Sequence, residues 1–178
     1  ASWSRGLGDV YKRQIIGNPN PDFVYGINLE LSYKNLSLRV LANGLYGNDI
    51  ANGNLLQLAT PEGISWSNIT TAAYNNAWRP ERTSNSYPRI GYTTNGQIAM
   101  PDWIIEDGSF LRISNINLSY QFDRINIYLS AQNLFTFTGY SGYNPEVTSF
   151  LYDGLRNGVD WNGQPSARKF TIGLNFNL

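Results

Sequence analysis

The sequence predicts an all-β chain: about five antiparallel strands from the C-terminal part of a large outer-membrane β-barrel, with long extracellular loops and too few strands to close the barrel. Three observations predict it. Apolar and polar residues alternate with a period of two over five stretches, so each stretch is a strand with one apolar and one polar face. The connections run tight, long, tight, long, which is the loop asymmetry of such barrels. Aromatic residues gather at both ends of the apolar faces, as interfacial girdles do.

The first strand is expected over residues 22–33. Phe23, Tyr25, Ile27, Leu29, Leu31 and Tyr33 form one face, and Val24, Gly26, Asn28, Glu30 and Ser32 the other. Lys34 and Asn35 supply a tight turn into a second strand over 36–46, so the two form a hairpin. Leu36, Leu38, Val40, Ala42, Gly44 and Tyr46 continue the apolar face, opposite Ser37, Arg39 and Asn43, with Leu41 and Leu45 as exceptions. A long connection follows over 47–107, rich in Pro, Asn, Ser and Trp, with a helical turn or two expected near 68–78.

A third strand is expected over 109–122. Phe110, Arg112, Ser114, Ile116, Leu118, Tyr120 and Phe122 fall on one face, and Leu111, Ile113, Asn115, Asn117, Ser119 and Gln121 on the other. Arg112 is then an isolated cation on the apolar face, where it would snorkel to lipopolysaccharide phosphates. Asp123 and Arg124 turn the chain into a fourth strand over 125–134, with Ile125, Ile127, Leu129 and Ala131 opposite Asn126, Tyr128, Ser130 and Gln132. After a second long loop over 135–167 comes the last strand, 168–178. There Phe170, Ile172, Leu174, Phe176 and Leu178 should face lipid, and Thr171, Gly173, Asn175 and Asn177 the lumen. One aromatic row is expected from Phe23, Tyr25, Tyr46 and Phe110 at the loop end. A second is expected from Tyr33, Tyr120, Phe122 and Phe176 at the turn end.

Composition supports this reading and excludes others. Charged residues make up 15% of the 178-residue chain, against about 25% in soluble proteins. Thirteen basic residues balance thirteen acidic ones, so no net field recruits nucleic acid. The chain has neither Cys nor His, which removes disulfides, thiolate zinc sites, and Ser-His-Asp or Cys-His catalysis. No metal site, cofactor or catalytic constellation is expected. The NDIANGN run superficially resembles a calcium loop, but Ala59 stands where an EF-hand would need Glu. Glu106 and Asp107 are expected to cap the start of the third strand.

Residues 1–14 share neither the period nor the composition of the rest. The GLGDVYKRQ run resembles a translated sequencing-adaptor scar, so this stretch is read as an assembly artefact or a disordered end, and residues 15–178 as the barrel part. Five strands cannot close a barrel, since the narrowest need about eight and large transporters use about 22. A longer protein is therefore expected.

The runs EDGSFLR and QNLFTFTGYSGYNPE, together with NPNPDFVYGINLELSYKN and the terminal ARKFTIGLNFNL, resemble the C-terminal end of SusC/RagA-type TonB-dependent transporters of Bacteroidota outer membranes. That resemblance implies import of glycans or peptides across the outer membrane by gated passage and not by an enzyme reaction. It also implies a SusD-type lipoprotein lid, energy relayed by TonB through an N-terminal plug missing from this chain, and lipid around the barrel. In the last strand, Thr171, Gly173, Phe176 and Leu178 resemble the signal read by the barrel-assembly machinery. Candidate substrate contacts are loop aromatics and a neighbouring acid: Trp66, Trp78, Trp103, Tyr143, Asp160 and Trp161. Sugar C–H faces stack on such rings while polar neighbours bond hydroxyls. A soluble all-β carbohydrate-binding module and a passive porin or adhesin barrel are the alternatives.

Overall fold

The computed structural model describes residues 15–59, 68–83, 87, 89, 101–147 and 156–176. Residues 1–14, Trp66, Tyr152, Asn177 and Leu178 lie outside the described residues. Five long strands form one antiparallel sheet: β1 (Phe23–Tyr33), β2 (Leu36–Tyr46), β5 (Phe110–Phe122), β6 (Ile125–Thr138) and β8 (Lys169–Phe176), in the order β1-β2-β5-β6-β8. The sheet does not close on itself. A second, three-stranded sheet sits in the long connections: β3 (Asp49–Asn52), β4 (Ile105–Asp107) and β7 (Val159–Asp160), ordered β4-β3-β7 with β3 and β7 parallel. Two short helices, α1 (Gly53–Ala59) and α2 (Thr71–Asn76), complete this layer.

Both hairpins turn in two residues, and Lys34 and Asp123 take the left-handed conformation at those turns (φ 53° and 46°). The turns are tied to each other, since Asn35 Nδ2 donates to Gln121 O at 2.7 Å and Gln121 N donates to Asn35 O at 2.8 Å. β1 and β2 pair without interruption from Phe23↔Tyr46 to Tyr33↔Leu36. Every apolar position of β1 therefore meets an apolar, aromatic or glycine position of β2 on the same face. Opposite them, Glu30 and Arg39 form an exposed cross-strand ion pair at 3.0 Å on the polar face.

The third strand departs from strict alternation. Leu41 pairs with Asn115 and Ala42 with Ile113, so Ser114 is an extra residue in β5. One inserted residue flips every side chain beyond it to the opposite face. From Ser114 toward the loop end, Leu111 and Ile113 therefore join the apolar face, while Phe110 and Arg112 turn to the polar one. This corrects the expectation that Phe110 belongs to the loop-end girdle and that Arg112 snorkels from the apolar face. Both are 4% exposed. Arg112 Nε donates to Thr136 Oγ1 at 3.1 Å, its Nη1 meets Glu146 Oε2 at 2.6 Å, and its Nη2 donates to Asn144 Oδ1. The guanidinium also lies 5.3 Å from the Phe110 ring centre, within cation–π range.

The fourth strand is longer than expected. Opposite Ser114, β6 spends two residues, Asn133 and Leu134, with Asn133 left-handed (φ 52°). Two extra residues restore the alternation, so β6 continues to Thr138 with Phe135 and Phe137 on the apolar face. Their rings stack 6.4 Å apart and both are well exposed. Phe137 shares a row with Leu111, Gly44 and Tyr25. The loop-end girdle is therefore Phe23, Tyr25, Tyr46, Phe135 and Phe137. The turn-end row of Tyr33, Tyr120, Phe122 and Phe176 is as expected.

β8 aligns Phe170, Ile172, Leu174 and Phe176 with Ala131, Leu129, Ile127 and Ile125 on the apolar face. Its Gly173 pairs with Tyr128, and a Cβ there would come within 2.3–2.5 Å of the hydroxyl end of the Tyr128 ring. The ring covers the glycine backbone across the strand pair, which offsets the weak intrinsic strand preference of glycine. Tyr25 covers Gly44 in the same way, and its hydroxyl donates to Phe110 O at 2.9 Å on the next strand but one. Gly26, by contrast, has no side chain pressed on it, its nearest neighbour being Ala42 O at 3.9 Å.

Two outcomes follow for the intact protein in membranes. This stretch has no Cys, so spin labels can be carried on single cysteines introduced here once any cysteines elsewhere in the intact protein are replaced. Labels at Leu111, Ile27 and Leu174 should be reached by oxygen from lipid; a label at Leu111 reached by aqueous nickel instead would restore the uninterrupted alternation of β5. Gly173→Ala should destabilise the barrel by about 1–3 kcal/mol, the usual cost of forcing extra volume into a packed site. Gly26→Ala should cost far less, as read by heat modification on electrophoresis.

Candidate functional site

The loop layer has its own small core. Ile50 of β3 and Ile104, at the end of the 3-10 turn Asp102–Ile104, are fully buried, and Asp160 of β7, paired with Asn52 of β3, is buried in the same layer. The layer is tied to the large sheet where the strands enter it, Gly47 N donating to Ser109 Oγ (3.0 Å) and Gly108 N to Asn48 O (2.8 Å), and within the layer Ala51 N donates to Gly158 O (2.8 Å). Asp107 accepts the backbone N–H of Ser109 (2.8 Å) at the entry of β5, as expected, whereas Glu106 does not cap that strand and accepts instead from Ser141 (2.8 Å) in the loop after β6.

Glu106 is also the hub of a network. Its Oε1 accepts from Asn52 Nδ2 (2.8 Å) and from Ser141 Oγ (2.7 Å). Asn52 in turn caps α1, its Oδ1 accepting from Leu55 N at 2.9 Å. The same loop is held again one residue earlier, where Tyr140 donates its hydroxyl to Asp160 Oδ2 at 2.6 Å. Burial, and then the adjacent Asp160 carboxylate, push the Tyr140 hydroxyl well above the usual tyrosine range, so it stays a donor. Asp160 Oδ1 accepts from Gly163 N (3.1 Å), and Asn162 N donates to Asn54 Oδ1 (2.7 Å). Residues 140–146, α1 and the turn after β7 are thus locked together, and Arg112 clamps the first of these to the sheet through Asn144 and Glu146.

Between these three segments lies an open cleft lined by Asn54, Gln57, Leu58, Asn68, Tyr143 and Asn162. No charged side chain lines it among the described residues. Tyr143 is 76% exposed at its rim, and Trp161, 40% exposed, lies with its ring against Gly53 at the start of α1. Asn54 Nδ2 is buried with no partner among the described residues.

The sequence-derived candidates are distributed unevenly. Tyr143 lines the cleft and Trp161 adjoins it. Asp160 is buried beneath, with Tyr140 and Gly163 on its carboxylate. Trp103 is half-buried and lies elsewhere, its ring 6.0 Å from Tyr87, and Trp78 joins the same region through its N–H to Tyr87 O at 3.3 Å. Trp66 lies outside the described residues. The amides Asn54, Gln57 and Asn68 were missed because 47–107 reads as irregular. Asn52 before the Leu55–Leu56 pair was the available helix-start signal. Among the described residues no group of three or more metal-ligating side chains occurs, and the arrangement offers hydrogen bonds and ring faces.

No protein-family model matches the chain. In solved structures it is similar to the RagAB peptide importer in its closed-closed state (TM-score 0.74, 24% identity, 92% of this chain and 18% of that one) and to the RagAB peptide transporter (TM-score 0.75, 23% identity, 92% and 18%). Those likenesses give the fold, a section of a large barrel. Among curated proteins it is 33% identical to TonB-dependent receptor P3 of Formosa agariphila over 92% of this chain, and 30% identical to TonB-dependent receptor SusC of Bacteroides thetaiotaomicron over 94%. It spans 17% and 16% of their lengths. Both relatives are named as receptors and not as enzymes. On that identity and coverage the chain belongs to the SusC/RagA-type TonB-dependent receptors of the outer membrane, and its large sheet is a stretch of their barrel wall.

Proposed function

We infer that the intact protein imports a nutrient, a glycan or a peptide, across the outer membrane with energy relayed by TonB. In that reading β1, β2, β5, β6 and β8 are barrel wall, with the apolar face in lipid and the polar face lining the lumen against a plug domain. The loop layer faces outside, where it receives substrate and meets a SusD-type lipoprotein lid. Thr171, Gly173, Phe176 and Leu178 would serve the barrel-assembly machinery. One observation carries the reading: a two-faced sheet of tight turns at one end and a hydrogen-bonded loop layer at the other, in a chain of this family. Glycan import is favoured by likeness to a protein named SusC, and peptide import by likeness to the RagAB peptide importer.

The test is uptake by cells carrying the intact gene. Labelled oligosaccharides or peptides should accumulate only when TonB is present and energised, and accumulation should fall to background when it is deleted. Accumulation indifferent to TonB would instead indicate a passive barrel.

A further inference from the structure

We propose that Asn157 is a site of spontaneous covalent modification: the Asn157-Gly158 step deamidates, because the fold leaves it open to ring closure while it blocks the other Asn-Gly steps among the described residues. The inference is independent of what the intact protein imports.

An Asn followed by Gly is open to this reaction because no side chain on the second residue shields its backbone nitrogen. That nitrogen loses its proton and bonds to the Asn side-chain carbon. The carbon–nitrogen bond of the amide breaks and ammonia leaves. Water then opens the resulting succinimide at either carbonyl, giving aspartate or isoaspartate. The reaction therefore needs a free side-chain amide, a free glycine N–H and access to water.

The described residues hold Asn43-Gly44, Asn52-Gly53, Asn157-Gly158 and Asn162-Gly163, and Asn95-Gly96 lies outside them. Asn43 is in β2, which is paired on both sides, and its Oδ1 accepts from Ser114 Oγ. The ladder holds Gly44 N in place and away from that side chain. Asn52 is 3% exposed and both ends of its amide are engaged, Oδ1 by Leu55 N and Nδ2 by Glu106. Asn162 is exposed, but Gly163 N donates to Asp160 Oδ1 at 3.1 Å, so a carboxylate holds the proton that attack must remove. Asn157 differs from all three. It is exposed in a turn, and neither its side chain nor Gly158 N makes a hydrogen bond among the described residues. Gly158 is left-handed (φ 76°), so the turn itself demands glycine there and keeps the reactive step in place.

The turn is also a junction. Gly158 O accepts from Ala51 N at 2.8 Å, and Val159 pairs with Ala51 in the parallel ladder of β3 and β7. A Cβ on Gly158 would lie 2.5 Å from Pro19 Cβ, so the segment entering β1 is pressed against the same point. Isoaspartate routes the main chain through the side-chain carbon and adds one atom to the backbone immediately before this ladder. The modification thus loosens the loop layer at β7 and leaves the large sheet intact.

The experiment ages the full-length receptor in detergent and mildly alkaline buffer. Peptide mapping by mass spectrometry reads amide-to-acid conversion at each Asn, and isoaspartyl methyltransferase labelling reads isoaspartate. Asn157 should convert about tenfold faster than Asn162, the factor that one hydrogen bond to a carboxylate implies, and Asn43 and Asn52 should remain amides. In guanidinium the rates should converge. Conversion at Asn162 as fast as at Asn157 in the folded receptor, or a preference for Asn157 that persists in the unfolded chain, would overturn the assignment. Hydrogen exchange at Ala51 should quicken in the aged receptor and not in aged Asn157→Gln, whose longer side chain closes a ring far less readily. Equal exchange in the two would overturn the effect on the loop layer.

Discussion

The buried Arg112 guanidinium is the contact on which the loop end depends. It points to the polar face only because Ser114 is an extra residue in β5. Once there, it bridges β6 through Thr136 and the following loop through Asn144 and Glu146. A buried cation is tolerated when its donors are paired, and removing one partner leaves an uncompensated charge. Glu146 is half exposed, so the pair sits at the boundary between the dry interior of the layer and solvent, where the guanidinium desolvation is shared with neutral acceptors. Two segments with a recognisable sequence, FLR in β5 and YNPE after β6, thus owe their residue choices to one shared contact.

The bulge also explains the distribution of aromatics. Without it, Phe110 would lie in the apolar girdle and Leu111 and Ile113 would line the polar wall. With it, Phe110 lies under Arg112, and the girdle is completed by Phe135 and Phe137 from the neighbouring strand. The matching two-residue insertion at Asn133 and Leu134 lets β6 keep its original faces while β5 changes its own. The pair of irregularities is a local reshaping of the wall at the rim, where bulges re-aim side chains.

The hairpins were legible because each carries an unbroken period of two and a two-residue turn, and β2 begins and ends where the alternation does. The bulge was not, because a single inserted Ser resembles one polar residue on an otherwise apolar face. The discordant pair Arg112 and Ser114 on that face was the signal, and explaining the Arg by snorkelling hid it. The extension of β6 past Asn133 was hidden by the same kind of residue: a left-handed Asn normally marks a turn. The small sheet could not be read at all, since β3, β4 and β7 are two to four residues long and pair across more than fifty residues of sequence. In the cleft, the rings were visible as exposed aromatics between strands, but the amides that accompany them were not. Asn, Gln and Gly are ordinary loop residues until a cap and a helix face bring them together.

The two layers answer to different solvents. The wall keeps an uninterrupted apolar face, and its glycines at 44 and 173 are covered by Tyr25 and Tyr128, so its stability rests on cross-strand packing and on lipid. The loop layer has only a small apolar core around Ile50 and Ile104 and depends on linked polar bonds such as Tyr140 to Asp160 and Asn52 to Glu106. The polar ties through Ser109, Asn48 and Arg112 fix where the layer sits without requiring a given lining for the cleft. A side chain such as Tyr143 or Gln57 therefore contributes little to either core, and can be exchanged while the wall and the hydrogen-bonded scaffold stay as they are.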